Sequence, residues 1–140
     1  MIFLQGICLL VIAFLPVLTH TMVSCDQKSW ATQSEVAGYS IVLSPSKGHI
    51  PLGRIHNWII EVRDKDDIPV YPISFLIDGG MPAHGHGLPS NPTGSRYLGD
   101  GKYLIEGLAF SMYGGWDLAF LLRSEAIRDR AAIRVEFYPC

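Results

Sequence analysis

Several features are scarce or missing in this 140-residue sequence, and each absence excludes a class of protein. Lys and Arg together number 11 against 13 Asp and Glu, so the formal net charge is −2 and no basic surplus can neutralise nucleic-acid phosphates. Long helical periodicity and internal repeats are absent, which argues against helical bundles and solenoids. With 49% hydrophobic residues the chain is too apolar for a disordered polymer, so one folded domain is expected.

Charge is missing altogether from the start of the chain, because no Lys, Arg, Asp or Glu precedes Asp26. Residues 2–18 are nearly all apolar, and small or polar residues follow them. This pattern predicts that residues 1–25 are a signal peptide or an N-terminal membrane anchor. The basic n-region of a signal peptide is absent, and the apolar run is shorter than the roughly 20 residues that span a bilayer comfortably. Cleaved and anchored forms therefore both stay open.

Cysteine is rare, and its three positions carry different predictions. Cys8 lies in the apolar segment, and the four residues ending at Cys25 (MVSC) resemble a bacterial lipobox, with Met22 where Leu is usual. Cys25 is therefore the candidate lipidation site, and the following Asp26 is typical of lipoproteins retained at the periplasmic face of the inner membrane. A Cys25–Cys140 disulfide is the alternative in an oxidising compartment, and it excludes lipidation. A free Cys140 thiol without a role is the third interpretation.

Beyond the first segment, the pattern predicts a polar tether over residues 26–35 and a β-rich domain over residues 36–140. Short runs rich in β-formers recur between turn signals. Six or seven such strands in about 105 residues are typical of an immunoglobulin-like antiparallel β-sandwich, an all-β fold. The predicted runs are Gly38–Leu43, Ile55–Arg63, Val70–Asp78, Lys102–Ser111, Trp116–Arg123 and Ala131–Tyr138.

Alternation and turn chemistry support these strands. Over 116–123 the large apolar side chains fall on every second residue, and 131–138 repeats the pattern, which places one face of each strand in the core. Residues 63–67 (RDKDD) and 99–101 (GDG) are strong turn signals. Trp58 lies in the middle of its run, where a core tryptophan is expected.

Catalytic motifs are absent. The sequence contains no G-x-S-x-G, no HExxH, no Gly-rich phosphate loop and no paired carboxylates near its histidines. The nearest acid to the histidine pair is Asp78. We therefore predict that the protein is not an enzyme and binds no organic cofactor.

One segment, residues 79–92, concentrates Gly, Pro, His and Met between two predicted strands. His84 and His86 lie on the same side of an extended backbone, with Cα atoms about 6.6 Å apart. Met81 adds a thioether, and Met112 supplies another at the end of a strand. Two imidazoles with two thioethers favour copper, above all Cu(I), over calcium, magnesium or structural zinc. The structural alternative is a rigid loop in which the histidines only make hydrogen bonds and Met112 fills the core.

Three further residues receive structural roles. His56 opens a predicted strand and lies toward the same end as the histidine pair, but a histidine at a strand edge is more often solvated or hydrogen-bonded than a ligand. His49 lies in a Ser-Lys-Gly loop and is expected to be exposed. Trp116 alternates with Leu118 and Phe120, which favours the core over a cation–π contact with a metal.

Three segments together resemble a known family. They are GGMPAHGHGLP at 79–89, GDGKY at 99–103, and GLAFSM at 107–112 followed by a Gly-Trp pair. This combination closely resembles the YtkA-like and FixH-like family of exported bacterial domains, over roughly 39–137. The chain departs from the family pattern after Met112, where the spacing to the tryptophan is one residue longer. The resemblance implies a small membrane-tethered β-sandwich of the cell envelope, and some relatives are linked with copper delivery or cytochrome oxidase maturation.

Two functions are therefore expected as alternatives. The first is a copper-binding module of the cell envelope for trafficking, homeostasis or oxidase maturation, with Met81, His84, His86 and Met112 as ligands and an envelope or membrane protein as partner. The second is a non-metal interaction module that uses the Gly/Pro/His loop to dock on a membrane complex.

Overall fold

The computed structural model describes residues 29–139, and within this range nine strands form one antiparallel sheet. A short 3₁₀ helix, Pro82–His84, connects the fourth and fifth strands. The strands are β1 (Trp30–Gln33), β2 (Ser40–Pro45), β3 (His56–Arg63), β4 (Ser74–Met81), β5 (His86–Gly87), β6 (Thr93–Gly99), β7 (Lys102–Leu108), β8 (Gly114–Arg123) and β9 (Arg128–Phe137).

Hydrogen bonding runs without interruption through the order β1-β2-β3-β7-β6-β4-β8-β9, with β5 added beside β4. The sheet curls until its two ends meet, and the Glu35 amide donates to the Arg130 carbonyl at 2.8 Å just beyond β1. The result is nearly a barrel. The prediction of an all-β antiparallel fold is confirmed, whereas an immunoglobulin-like sandwich of about seven strands is not, because the described residues form nine strands in one continuous sheet.

The alternating pattern decides which side chains fill the interior. Along β8 and β9 every second residue is buried, as the sequence predicts. Trp58 is fully buried, as is Trp116, so the core role expected for both tryptophans is confirmed. The large side chains with no exposed surface include Trp58, Trp116, Phe110, Ile41, Leu43, Ile60 and Leu122.

Turn chemistry also matches the sequence. At the β6–β7 hairpin Gly99, Asp100 and Gly101 all have positive φ, a region that glycine adopts without strain. A Cβ on Gly101 would lie 2.6 Å from the Val62 carbonyl oxygen, so glycine is required there for space as well. In the charged turn the Asp64 carboxylate accepts the amide of Ile68 at 2.9 Å.

The folded part begins earlier than the sequence predicts. Strand β1 lies inside the 26–35 stretch that the sequence suggests as a tether, and Trp30 is buried against the core. Cys8, Cys25 and Cys140 lie outside the described residues, as do the predicted lipidation and the disulfide alternative. Over residues 29–139, no helix has the length and apolar composition needed to cross a membrane.

The strand registers bring several loops to one end of the barrel, which we call the hairpin end. Pro45 pairs with Trp58 at the end of β2, and Gly80 pairs with Asp117 near the end of β4. The hairpin end therefore carries the loop at 46–55, the β4–β5 hairpin, the loop at 109–113 and the carboxyl end of β9. Turns 64–73 and 124–127 lie at the opposite end.

Candidate functional site

The segment that the sequence singles out folds as a tight hairpin, with His84 in a 3₁₀ turn and Gly85 left-handed, so the extended backbone predicted between His84 and His86 is wrong. Gly80 pairs with Gly87, and Met81 pairs with His86. The Gly85 amide donates to the Met81 carbonyl at 3.0 Å, with Gly85 in the left-handed region at φ 66. A Cβ on Gly80 would lie 2.6 Å from the His86 carbonyl oxygen, so the two strands approach this closely only because a glycine is present. The glycines therefore fix the hairpin backbone and the register that aligns Met81 with His86.

Met81 occupies the interior of the hairpin end and is only 3% exposed. Its side chain extends toward the start of β8, where a Cβ on Gly114 would lie 2.6 Å from the Met81 Cε atom. Gly114 thus leaves the space that the thioether fills. The sequence gives no local signal for this role of Gly114, because the contact joins residues 33 positions apart.

The histidine pair lies beside a buried tryptophan. Directly paired residues of antiparallel strands project to the same face, so His86 lies on the side of the sheet that Met81 occupies. The His86 ring lies edge-to-face with the Trp116 ring at a centroid distance of 5.5 Å, and 6.1 Å from the His84 ring. Both histidines are exposed. Two imidazoles are therefore accessible next to a buried thioether and an indole.

Met112 lies on the neighbouring loop and is partly buried against the core. Its carbonyl accepts the Trp116 Nε1–H at 3.1 Å, which fixes the indole whose edge meets His86. The structure thus places Met112 on the same end of the barrel as the histidine pair, and its packing agrees with the core role that the sequence left open.

The histidine pair does not belong to a larger cluster of His, Cys, Asp or Glu side chains among the described residues. In the part of the chain that the structure describes, no three His, Cys, Asp or Glu side chains form a group that could hold a metal ion. Asp78 accepts the Gly79 amide at 2.7 Å and is exposed. An ion at the hairpin would therefore depend on sulfur donors together with the imidazoles.

His56 belongs to the aromatic cluster behind the hairpin. Its ring lies 5.8 Å from the Phe110 ring, and the Phe110 ring lies 5.2 Å from that of Trp116. His56 Nδ1 is 2.9 Å from the Arg54 carbonyl oxygen, an arrangement in which Nδ1–H donates. Nε2 is buried and lacks a partner among the described residues, as does the Trp58 indole nitrogen. His56 is thus half-buried and hydrogen-bonded through Nδ1, which is one of the two structural roles that the sequence leaves open.

We expect His56 to make the protein less stable in mild acid. Burial lowers the pKa of His56, and the nearby His49 acts in the same direction, against the hydrogen bond to Arg54. The unfolded chain therefore binds a proton that the folded chain resists, and the free energy of unfolding falls as the pH drops below about 6.5. Chemical denaturation at several pH values should show this slope in the native sequence and in His49→Asn, but not in His56→Leu. An unchanged slope in His56→Leu would contradict the assignment.

Comparison of the chain with known protein families, with curated proteins and with solved structures finds no match. The resemblance to exported copper-linked domains therefore stays a prediction, and the site must be argued from its own geometry.

Proposed function

We propose that the β4–β5 hairpin binds Cu(I), with His86, His84 and Met81 as its ligands and Met112 as a further thioether donor on the adjoining loop. The observation that carries the proposal is the register that pairs Met81 with His86, while the His84 ring lies 6.1 Å from that of His86. Imidazole is a donor that suits copper, and thioether sulfur selects Cu(I).

The surroundings of the hairpin also suit a soft, weakly hydrated ion. Met81 is buried and Trp116 covers the inner side of His86, so one side of the site is apolar. The outer side is open, because residues 82–87 are exposed. A partner protein can therefore reach an ion held by the histidines and replace a thioether ligand with its own thiolate or thioether. Transfer of copper by ligand exchange follows from this asymmetry.

The same proposal includes a location in the cell envelope, with the domain held at the periplasmic face of the inner membrane. Its support is the uncharged apolar segment at 2–18 and the lipobox-like residues before Asp26. An envelope or membrane protein would then receive the ion. A domain tethered at the membrane surface meets such a partner at a high effective concentration.

The test is an anaerobic titration of the full chain, in nonionic detergent, with Cu(I) against a chromogenic Cu(I) chelator. We expect one Cu(I) ion to bind per chain. Loss of an outer-shell partner of a metal ligand already lowers metal affinity by roughly ten- to a hundredfold, so we expect His84→Ala/His86→Ala to lower the Cu(I) affinity by at least this factor. Met81→Leu removes the sulfur at nearly constant volume and should weaken binding while lowering the free energy of unfolding by less than about 1.5 kcal/mol. Tryptophan fluorescence gives a second readout, because copper at His86 should quench Trp116.

His49→Ala is the matched control, since His49 is also an exposed loop histidine at the hairpin end. It should bind Cu(I) as the native chain does. Equal affinity in the native chain and in the double histidine variant would refute the metal site. Retained capture of a membrane partner by that variant would then favour the alternative function, a non-metal docking loop.

A further inference from the structure

A second feature of the hairpin end is a basic cleft formed by the loop between β2 and β3. The cleft has a volume of about 350 Å³, and its polar lining includes Lys47, His49 and Arg54 with Ser46 and Asn57. Among the described residues that line it there is no carboxylate. The loop is anchored from below, because the Gly53 amide donates to the Phe110 carbonyl at 2.8 Å. The cleft thus presents hydrogen-bond donors and positive charges on a loop that is hydrogen-bonded to the rest of the fold.

The two cations of this cleft differ from most others in the described part of the chain. Arg63, Lys65 and Arg134 each form an ion pair with a carboxylate. Among residues 29–139, neither Lys47 nor Arg54 has such a pair, so both charges remain available to an anion. The His49 Nδ1 atom lies 3.3 Å from the Lys47 carbonyl oxygen, which directs its Nε2 away from the loop backbone.

Apolar side chains project beside these cations. Ile55 is 71% exposed and Leu52 is 36% exposed. Cationic groups flanked by exposed aliphatic side chains are the combination that rests at the boundary between lipid headgroups and acyl chains. An anion dissolved in water would gain nothing from Ile55 and Leu52.

The path of the chain points to the same surface. Trp30 at the start of β1 pairs with Leu43, so β1 begins beside the end of β2, near the entrance to the cleft loop. In the sequence the uncharged segment at 2–18 precedes β1. A membrane that holds this segment or a lipidated Cys25 would therefore face the hairpin end.

We propose that the cleft binds the phosphate group of an anionic phospholipid headgroup and thereby sets the hairpin end against the membrane surface. Lys47 and Arg54 neutralise the phosphate, Ser46, His49 and Asn57 supply neutral or cationic donors, and Ile55 enters the headgroup layer. This inference rests on the tethering included in the proposed function, but not on copper, so the titration above and the lipid experiment fail independently.

The test is hydrogen–deuterium exchange of the full chain in nanodiscs of phosphatidylcholine, with or without phosphatidylglycerol as a third of the lipid. Two cations at an anionic surface correspond to about a thirtyfold preference for it. We therefore expect severalfold slower exchange over 46–56 with the anionic lipid, and equal exchange over the opposite turn at 64–68. Lys47→Gln/Arg54→Gln should abolish the difference.

Arg123→Gln/Arg128→Gln is the matched control, because it removes the same charge from exposed positions at the opposite end of the barrel. It should retain the slower exchange over 46–56. Equal exchange in the two bilayers, or retention in the Lys47/Arg54 variant, would overturn the proposal. Inorganic phosphate added to phosphatidylcholine discs separates the sources: the same slowing without anionic lipid would assign the cleft to free phosphate instead.

Discussion

Replacing Phe110 by alanine is expected to lower the free energy of unfolding by about 3–5 kcal/mol, the range for removing a fully buried phenylalanine. Phe110 has no exposed surface, and its ring is the common neighbour of four others. Centroid distances of 5.2–5.9 Å join it to His56, Trp58, Trp116 and Phe137. The substitution would leave a cavity at the centre of this cluster. The surrounding rings are held by different parts of the sheet, so they cannot move together to fill it. Urea denaturation followed by tryptophan fluorescence measures the loss.

Two comparisons make this prediction specific. Phe110→Leu keeps most of the apolar volume and should lose well under half as much stability. Tyr138→Ala removes an exposed ring near the end of the chain and should change stability by no more than about 0.5 kcal/mol. A Phe110→Ala variant as stable as Tyr138→Ala would mean that the cluster contributes little to the fold.

Asp129→Asn is expected to lower the free energy of unfolding at pH 7 by about 2–3 kcal/mol, because hydrogen bonds to a charged group are the strong ones and their loss leaves buried donors poorly paired. Asp129 is 5% exposed. Its carboxylate accepts the amides of Val36 and Ala37, each at 2.9 Å, and a hydrogen bond from Ser34. These bonds fasten the turn after β1 to β9, where the two ends of the sheet meet.

The decrease in the free energy of unfolding at acidic pH should also depend on Asp129. Burial opposes ionisation of Asp129, but the hydrogen bonds from Ser34, Ala37, Val36 and Arg130 outweigh it and lower the pKa of the group. The stability it provides is therefore complete above the ordinary aspartate pKa of about 3.9 and is lost as the pH falls through the lowered value. The native chain and Asp129→Asn should converge in strong acid. This range lies below the window in which His56 titrates, so the two effects are separable.

Asp117→Asn serves as the control for Asp129. Asp117 pairs with Arg134 at 2.9 Å on the exposed face of β8, and exposed ion pairs contribute at most about 1 kcal/mol. Its removal should leave the decrease in the free energy of unfolding at acidic pH unchanged. A native chain and an Asp129→Asn variant that differ equally at every pH would contradict the role assigned to the carboxylate.

The candidate site was predictable in its residues but not in its arrangement. The density of Gly, Pro, His and Met at 79–92 singles out this segment from the sequence, but it is equally compatible with a rigid loop that binds no metal. The pairing of Met81 with His86 depends on a 3₁₀ turn and a left-handed glycine that set the register, and the spacing of the two histidines does not reveal it. The edge-to-face contact with Trp116 depends on β8 lying beside β4.

The basic cleft was missed for a related reason. Lys47 and Arg54 are ordinary loop residues seven positions apart, and their sequence neighbours give no motif. They line one cavity only because β2 and β3 pair antiparallel, which brings the two ends of the connecting loop together. The hydrogen bond from the Gly53 amide to the Phe110 carbonyl then holds the loop in place. The free positive charge of the cleft is visible only once most of the other cations in the described part of the chain are seen to form ion pairs.

The sequence by itself determined six of the nine strands and the buried faces of the last two. Alternation along 116–122 and 133–137 indicated which side chains are buried, and the turn residues at 99–101 indicated where a hairpin forms. These properties are local, since the strand period of two and the φ preferences of glycine act over a few residues. Tertiary structure alone decided that β1 joins the sheet, that nine strands curl into a near-barrel, and that Asp129 closes it through residues 92 and 93 positions away. Strand order and register arise from burying the whole apolar face at once, so contacts between distant strands have no local signature.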